Sequence, residues 1–162
     1  VHLDVVWSAD GRFVVSSMQE NQLHGWKLPE KAHMRMSGYP GKTRSLSWSG
    51  DGTWLATSGA EAAIVWPFSG NGPMGKAPRE CGVRPRRVTT VAFHPKSLVL
   101  AIGYDDGMIL LVRLTDASEL VVRHIAPGGA VTALGWDEHG DRLAFGTDEG
   151  QAGCLTLPGG PA

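Results

Sequence analysis

Apolar and polar residues alternate over short runs along the chain, a pattern typical of half-buried β-strands. Leu46 and Trp48 alternate with serines, and Val91 and Phe93 repeat the same period of two. Turn-forming residues separate the runs, and the chain has 22 glycines and 10 prolines. Glycine reaches positive φ and proline cannot donate to a strand ladder, so both favour tight turns. The pattern predicts many short antiparallel strands and no long helix.

One longer pattern occurs four times, and each copy has an aromatic residue, then a turn, then an apolar strand. Spacings of 41, 45 and 43 residues separate the aromatic positions, which are Trp7, Trp48, Phe93 and Trp136. A second apolar anchor follows each of them after 18 or 19 residues, at Trp26, Trp66, Val112 and Leu155. A period near forty residues is typical of units that bury their faces only against neighbouring units. We therefore expect the tryptophans at the repeated positions to lie in the core.

Two adjacent carboxylates, Asp105 and Asp106, precede a glycine between two apolar runs, and Asp148-Glu149-Gly150 occupies the same place one unit later. An Asp-Gly corner between apolar strands favours a hairpin, because aspartate tolerates left-handed geometry and bonds its own backbone. The spacing predicts a turn rather than a catalytic or metal-binding pair. Contact with a partner stays open for these acids.

Three stretches, WSADG at 7–11, WSGDG at 48–52 and LAIGYDDGMILLV at 100–112, resemble the WD-repeat β-propeller family. In that family each unit supplies four antiparallel strands to one blade. The resemblance implies an all-β fold in which residues 1–162 form one partial propeller, with blades at about 3–37, 43–82, 87–125 and 130–157.

The last blade is expected to lack its outer strand, since residues 158–162 are prolines, glycines and one alanine. The ring is then incomplete. Two alternatives follow: the chain is the C-terminal half of a larger propeller, or it is a half-ring that assembles with a copy of itself.

The family often stiffens a blade with buried hydrogen bonds among His, Ser or Thr, Asp and Trp side chains. In this sequence only the second blade keeps part of that set, with Tyr39, Thr57 and Trp66. Because an unpaired buried polar group costs more than an apolar replacement, we expect the blades to be held mainly by packing.

The resemblance also implies a partner-binding surface, built from the loops between blades and the hairpins between second and third strands. The candidate residues on it are Tyr39, Lys42, Arg44, Arg84, Arg86, Arg87, Tyr104, Asp105, Asp106, Asp148 and Glu149. Arginine and tyrosine are enriched at interface hot spots. The segment VRPRRV at 83–88 is the sharpest candidate, because its arginines can fork onto carboxylates or phosphates. The alternatives are solvated arginines, or arginines paired with neighbouring hairpin acids.

Composition adds constraints on location and partners. Hydrophobic residues make up 42% of the chain and charged residues 19%, and the net charge is -1, so no overall bias indicates nucleic acid or a membrane surface. No apolar run approaches the ~20 residues of a membrane span. Two distant cysteines suit free thiols in a reducing compartment, and we expect a cytoplasmic protein. An upstream segment with a targeting signal stays open, because residue 1 is valine.

Candidate chemistry is sparse. The histidines are scattered without metal-ligand spacing, and the chain has neither a Gly-x-Ser-x-Gly nucleophile motif nor a phosphate-binding loop. We expect no cofactor and no metal. The first hypothesis is a non-enzymatic scaffold that binds other proteins or peptides. The alternatives are an enzyme or small-ligand binder using the channel of a completed propeller, and a structural half-propeller whose partner is its own copy.

Overall fold

The computed structural model describes residues 1–158, and within this range the chain forms β-strands and turns. No helix in the range is long and apolar enough to cross a membrane. The strands are β1 (His2–Trp7), β2 (Phe13–Met18), β3 (Leu23–Lys27), β4 (Ala32–Met36), β5 (Leu46–Trp48), β6 (Trp54–Thr57), β7 (Ala63–Pro67), β8 (Arg79–Cys81), β9 (Val88–Phe93), β10 (Val99–Tyr104), β11 (Ile109–Arg113), β12 (Glu119–Arg123), β13 (Val131–Trp136), β14 (Arg142–Thr147) and β15 (Ala152–Thr156).

The strands form four antiparallel sheets, each a simple meander in sequence order. Blade 1 comprises β1–β4, blade 2 comprises β5–β8, blade 3 comprises β9–β12, and blade 4 comprises β13–β15. Within residues 1–158, the all-β fold with four blades and a last blade of three strands without an outer one is therefore confirmed. Residues 159–162, which are expected to form no strand, lie outside the described residues.

Side-chain hydrogen bonds explain the repeated Ser-x-Asp-Gly sequence between first and second strands. In blade 2 the Ser49 hydroxyl donates to Asp51 Oδ1 at 2.6 Å and accepts from the Trp54 amide at 3.0 Å. In blade 1 the hydroxyl of Ser8 donates to Asp10 Oδ1 at 2.7 Å. Such local bonds hold the turn and fix where the second strand begins.

The hydrophobic core lies between consecutive blades in three clusters. Blades 1 and 2 share the cluster of Phe13, Val15, Leu23, Met34, Met36, Tyr39, Leu55, Trp66 and Phe68. Blades 2 and 3 share a larger one that includes Ala56, Val65, Cys81, Val91, Phe93, Ile102, Tyr104 and Leu110. Blades 3 and 4 share Ala101, Ile109, Leu111, Val131 and Leu143. Because each of these clusters within residues 1–158 is shared by two blades that are consecutive in sequence, the arrangement is radial, as in a propeller.

The aromatic anchors of blades 2, 3 and 4 face the preceding blade, as the repeat predicts. Phe93 is buried against blade 2, and Trp48 and Trp136 are half-buried in their clusters. Trp136 also donates from Nε1 to the Ala92 carbonyl of blade 3 at 3.1 Å.

The prediction that Trp7 is a core residue is wrong. Trp7 is 60% exposed, and Val5 on the same side of blade 1 is 58% exposed. Trp7 pairs with Val14, which pairs in turn with Trp26, so these side chains share one side of the sheet. No sheet formed by residues 1–158 packs on that side, so an aromatic anchor that is buried or half-buried in the other three blades is left open to solvent. We call this side the front of blade 1.

The corresponding open side of blade 4 has a different character. Gly135, Ala144 and Cys154 are paired across its three strands, and the pair Ala133 and Gly146 lies beside them. Cys154 is an exposed free thiol there. Within residues 1–158, the stack of blades therefore has two open sides. The one on blade 1 carries bulky aromatic residues, and the one on blade 4 carries small residues.

Candidate protein-binding surface

The meander of each blade places two kinds of loop at opposite ends of the sheets. We call one end the loop face: it carries the hairpins between second and third strands and the connections from each blade to the next. The other end carries the remaining turns and is called the opposite face. All eleven candidate residues lie at the loop face, at the ends of strands or in the loops between them. Their exposure, however, differs widely.

Tyr104 is not available to a partner, so its selection as a contact residue is wrong. It is wholly buried between blades 2 and 3, and its hydroxyl donates to the Gly82 carbonyl. Burial raises the pKa of its phenol above the usual value. Tyr104 therefore stabilises the loop that follows blade 2 rather than extending from the surface.

Tyr39 is 8% exposed, and its hydroxyl belongs to a buried network rather than to the surface. Its hydroxyl lies 2.6 Å from the Thr57 hydroxyl and accepts from Trp66 Nε1 at 2.7 Å. Thr57 in turn donates to the Ile64 carbonyl at 2.9 Å. Desolvation raises the pKa of Tyr39 to about 12. The partial network predicted for blade 2 is thus confirmed.

Two arginines of VRPRRV are paired within the chain. Arg84 Nη2 lies 2.6 Å from Glu119 Oε2, and Arg86 Nε lies 2.9 Å from Asp105 Oδ1. This geometry matches the alternative in which the arginines pair with neighbouring acids. Partly exposed ion pairs of this kind contribute only about 0–1 kcal/mol. Arg84 and Arg86 are therefore neutralised locally, although both remain within reach of a partner.

The acidic pair at the opening of the β10–β11 hairpin is a turn, as the sequence predicts. The Gly107 amide bonds the Tyr104 carbonyl, and Asp106 Oδ1 accepts from the Met108 amide at 3.1 Å. Gly107 has a φ of 86°, where a side chain would be strained. The corner is thus explained by backbone geometry and its own hydrogen bonds.

The second acidic corner is more open. Asp148 and Glu149 are both exposed. Asp148 Oδ1 accepts from the Ala130 amide at 2.9 Å, which ties the β14–β15 hairpin to the start of blade 4. Glu149 carries its charge into solvent.

A concave cavity of about 720 Å³ opens on the loop face beside the first strands of blades 2, 3 and 4. Its charged lining consists of Lys42, Arg44, Arg87 and Asp148. Serines and threonines, together with Asn21, form most of the remaining wall. We call this the inner cavity, and it contains three of the predicted cations and one predicted acid.

The hairpin between β6 and β7 positions all three of these cations. The buried Thr43 donates to the Ser58 carbonyl at 3.1 Å, and the Ser58 hydroxyl accepts from the Arg44 amide at 3.2 Å. The same hairpin is bonded to the backbone just after Arg87, where the Val88 amide donates to the Ala60 carbonyl at 2.8 Å. The sequence pattern did not indicate Thr43 and Ser58, because strand periodicity gives no signal for a buried hydroxyl in a loop.

A second cavity of about 900 Å³ lies between the connection that leaves blade 1 and the third and outer strands of blade 2. Trp66, Tyr39 and Ile64 form its apolar wall, and Glu61 and Glu80 supply carboxylates. Arg87 lines both cavities. The loop face therefore offers an adjoining pair of concave sites of different polarity.

Two of the six histidines, His24 and His33, lie together on blade 1. His24 Nε2 lies 2.8 Å from His33 Nδ1, and the His24 ring stacks on Trp26 with centroids 4.2 Å apart. Burial and the nearby charge of His33 lower the pKa of His24. Among residues 1–158, no three histidine, cysteine or carboxylate side chains are grouped so as to hold a metal ion.

Comparisons with known proteins agree with this architecture. Residues 91–158 match the family model of the anaphase-promoting complex subunit 4 WD40 domain, and residues 32–66 match that of the WD domain, G-beta repeat. A chain in a structure titled "Crystal Structure of Mitotic Checkpoint Complex" superposes with a TM-score of 0.78 at 14% sequence identity. The alignment covers 96% of this chain and 49% of that one. The search of curated proteins finds no match.

The radial stack of meandering sheets defines the class of protein as a β-propeller, present here as four blades of an open ring. The two repeat models match separate segments, from blade 1 into blade 2 and from blade 3 through blade 4. The chain belongs to the WD-repeat β-propeller family. It spans about half the length of the similar solved chain. The fold is one that supports protein-interaction scaffolds in general.

Proposed function

We propose that the chain is a non-enzymatic scaffold that binds other proteins or peptides through its loop face. The observation that carries this proposal is the inner cavity, where exposed charged side chains stand on a backbone held by internal hydrogen bonds. A rigid backbone lowers the entropy lost on binding, which favours recognition. The adjoining apolar cavity adds surface that a protein partner can bury.

A catalytic role in the channel has less support. Two of the first-strand hydroxyls beside it contact backbone carbonyls of a neighbouring blade: Thr89 is positioned to donate to the Val131 carbonyl of blade 4, and Ser45 to the Val91 carbonyl of blade 3 at 3.4 Å. A nucleophilic hydroxyl needs an adjacent general base, and these partners are carbonyl oxygens. Their geometry suits a structural role between blades 2, 3 and 4.

Self-assembly is a second candidate function, favoured by the two open sides of the blade stack. Trp7 and Val5 project from the front of blade 1, whereas Gly135 and Ala144 leave space on the open side of blade 4. Within the chain, aromatic anchors already pack from one blade onto the side of the preceding blade. A second copy is proposed to repeat this contact at both ends, giving a closed ring of eight blades.

Partner capture tests the scaffold proposal. We expect the immobilised chain to retain specific proteins that the variant Arg84→Ala/Arg86→Ala/Arg87→Ala loses, because the substitutions remove three loop-face guanidinium groups. The melting temperature of the variant should change little, since exposed ion pairs contribute little to stability. Quantitative mass spectrometry of the retained proteins measures the effect.

The matched control removes three cations from the opposite face, with the substitutions Lys31→Ala, Lys76→Ala and Lys96→Ala. All three lysines are exposed and lie in turns at that end. Loss from the loop-face variant alone supports the proposal. Equal retention by both variants and the original chain would remove these arginines from the interface, and a measured monomer mass at high concentration would exclude self-assembly.

A further inference from the structure

The three cations of the inner cavity differ from the other loop-face arginines in their pairing. Arg84 and Arg86 have carboxylate partners within 2.9 Å. Lys42, Arg44 and Arg87 have no ion pair among the described residues. The positive charge in the cavity is therefore available to a ligand, and the one carboxylate of the lining, Asp148, is bonded to a backbone amide.

The spacing of Lys42 and Arg44 indicates the shape of that ligand. Both side chains are exposed, while Thr43 between them is wholly buried. Because exposure alternates over residues 42–44, we infer an extended segment in which the two cations lie on one side, about 6.6 Å apart along the chain. Alternate residues of an extended peptide have the same spacing and also share one side.

The Arg87 guanidinium extends this row of charge. A Cβ atom added to Gly41 would lie 2.9 Å from Arg87 Nη1, so the guanidinium lies directly beside the segment that carries Lys42. A single small anion neutralises one of these cations, whereas an extended chain with repeated negative charges can pair with all three. The hairpin that includes Ser58 holds the row in place before binding.

The geometry points to an extended acidic segment of a partner protein, with carboxylates on alternate residues, as the ligand of the inner cavity. This inference rests on the proposed scaffold function and names the chemistry of its partner. The carboxylates pair with Lys42, Arg44 and Arg87. Charge-assisted hydrogen bonds to the two arginines fix the orientation of the carboxylates. Affinity is expected to fall with added salt, because the row is open to solvent.

Fluorescence anisotropy with short labelled peptides tests the inference on the whole chain. The probe is a peptide in which glutamate alternates with serine. One comparison peptide has glutamine in place of every glutamate, and a second contains one phosphoserine. We expect the glutamate peptide to bind and the glutamine peptide to bind at least tenfold more weakly. The variant Lys42→Ala/Arg44→Ala/Arg87→Ala should bind the glutamate peptide at least tenfold more weakly. The control variant Lys31→Ala/Lys76→Ala/Lys96→Ala should bind it as tightly as the original chain does.

Thr43 provides a separate test of positioning. Thr43→Val keeps every charge but removes the hydrogen bond to Ser58, so it should raise the dissociation constant of the glutamate peptide about threefold to fivefold. Thr43→Ser, which retains the hydroxyl, should restore it. Thermal unfolding and the circular dichroism spectrum of each variant confirm that the loss arises in a folded chain.

An oligothymidine strand is measured as a nucleic-acid probe beside the peptides. Three outcomes overturn the inference: no binding of the glutamate peptide, equal binding by the Lys42, Arg44 and Arg87 variant, or tighter binding of either the phosphoserine peptide or the oligothymidine strand. These failures differ from failure of the scaffold proposal. If the chain still captures proteins that its loop-face variant loses, yet ignores the glutamate peptide, the loop face binds partners of other chemistry.

Discussion

Replacing Phe68 with alanine is expected to lower the free energy of unfolding by about 3–5 kcal/mol. Phe68 is wholly buried between blades 1 and 2. Its ring meets Phe13 of blade 1 edge-on at 5.2 Å between centroids and Trp48 of blade 2 at 4.6 Å. The substitution removes both aromatic contacts and leaves a cavity at the boundary of two sheets, which cannot collapse without moving a blade.

Trp7→Ala is the matched control for this prediction, because it removes a larger aromatic side chain that is 60% exposed. Its effect is expected within about 0.5 kcal/mol for the monomer. Urea unfolding followed by tryptophan fluorescence and circular dichroism measures Phe68→Ala, and circular dichroism alone compares it with Trp7→Ala. A Phe68→Ala effect below that of Trp7→Ala would contradict the packing of blade 1 against blade 2.

The second large effect is expected at the boundary of blades 2 and 3. Leu110→Ala should cost about 2–5 kcal/mol, since Leu110 is wholly buried in the cluster that also contains Val65 and Cys81 of blade 2. Chemical unfolding measures the loss. A domain of this size is stable by only about 5–15 kcal/mol, so the variant should be visibly less stable at 37 °C.

Leu120→Ala controls for the loss of a leucine in the same blade, because Leu120 on the outer strand is 56% exposed. It should unfold close to the original chain. If the two leucine variants lost equal stability, the burial assigned to the blade 2 and blade 3 boundary would be wrong.

The repeat pattern made most of the fold predictable. Strand periodicity and turn residues depend on neighbours in sequence, so Asp51 and Gly107 could be assigned to corners without knowing the tertiary structure. The exposure of Trp7 could not be predicted in this way. Its local sequence, WSADG, differs at one position from the WSGDG at Trp48, and only the presence or absence of an adjoining sheet separates the packed tryptophan from the exposed one.

The loop face was predictable in position but not in detail. A tyrosine at a strand end has the same sequence signature whether its hydroxyl meets solvent or, as in Tyr104, a backbone carbonyl. Likewise, the sequence does not distinguish the paired Arg84 from Arg87, which has no ion pair within residues 1–158, because the Arg84 partner Glu119 lies 35 residues away. Such differences depend on contacts between loops that no short-range pattern encodes.

Radial packing of four sheets, each only against its neighbours in sequence, underlies both the fold and the loop face. Nuclear Overhauser spectroscopy on a methyl-labelled chain tests this packing directly, because cross-peaks require methyl groups a few ångströms apart. Radial packing predicts cross-peaks that link blade 1 with blade 2, blade 2 with blade 3 and blade 3 with blade 4. In a monomeric sample, a cross-peak between Val15 of blade 1 and Leu143 of blade 4, or none between consecutive blades, would contradict it.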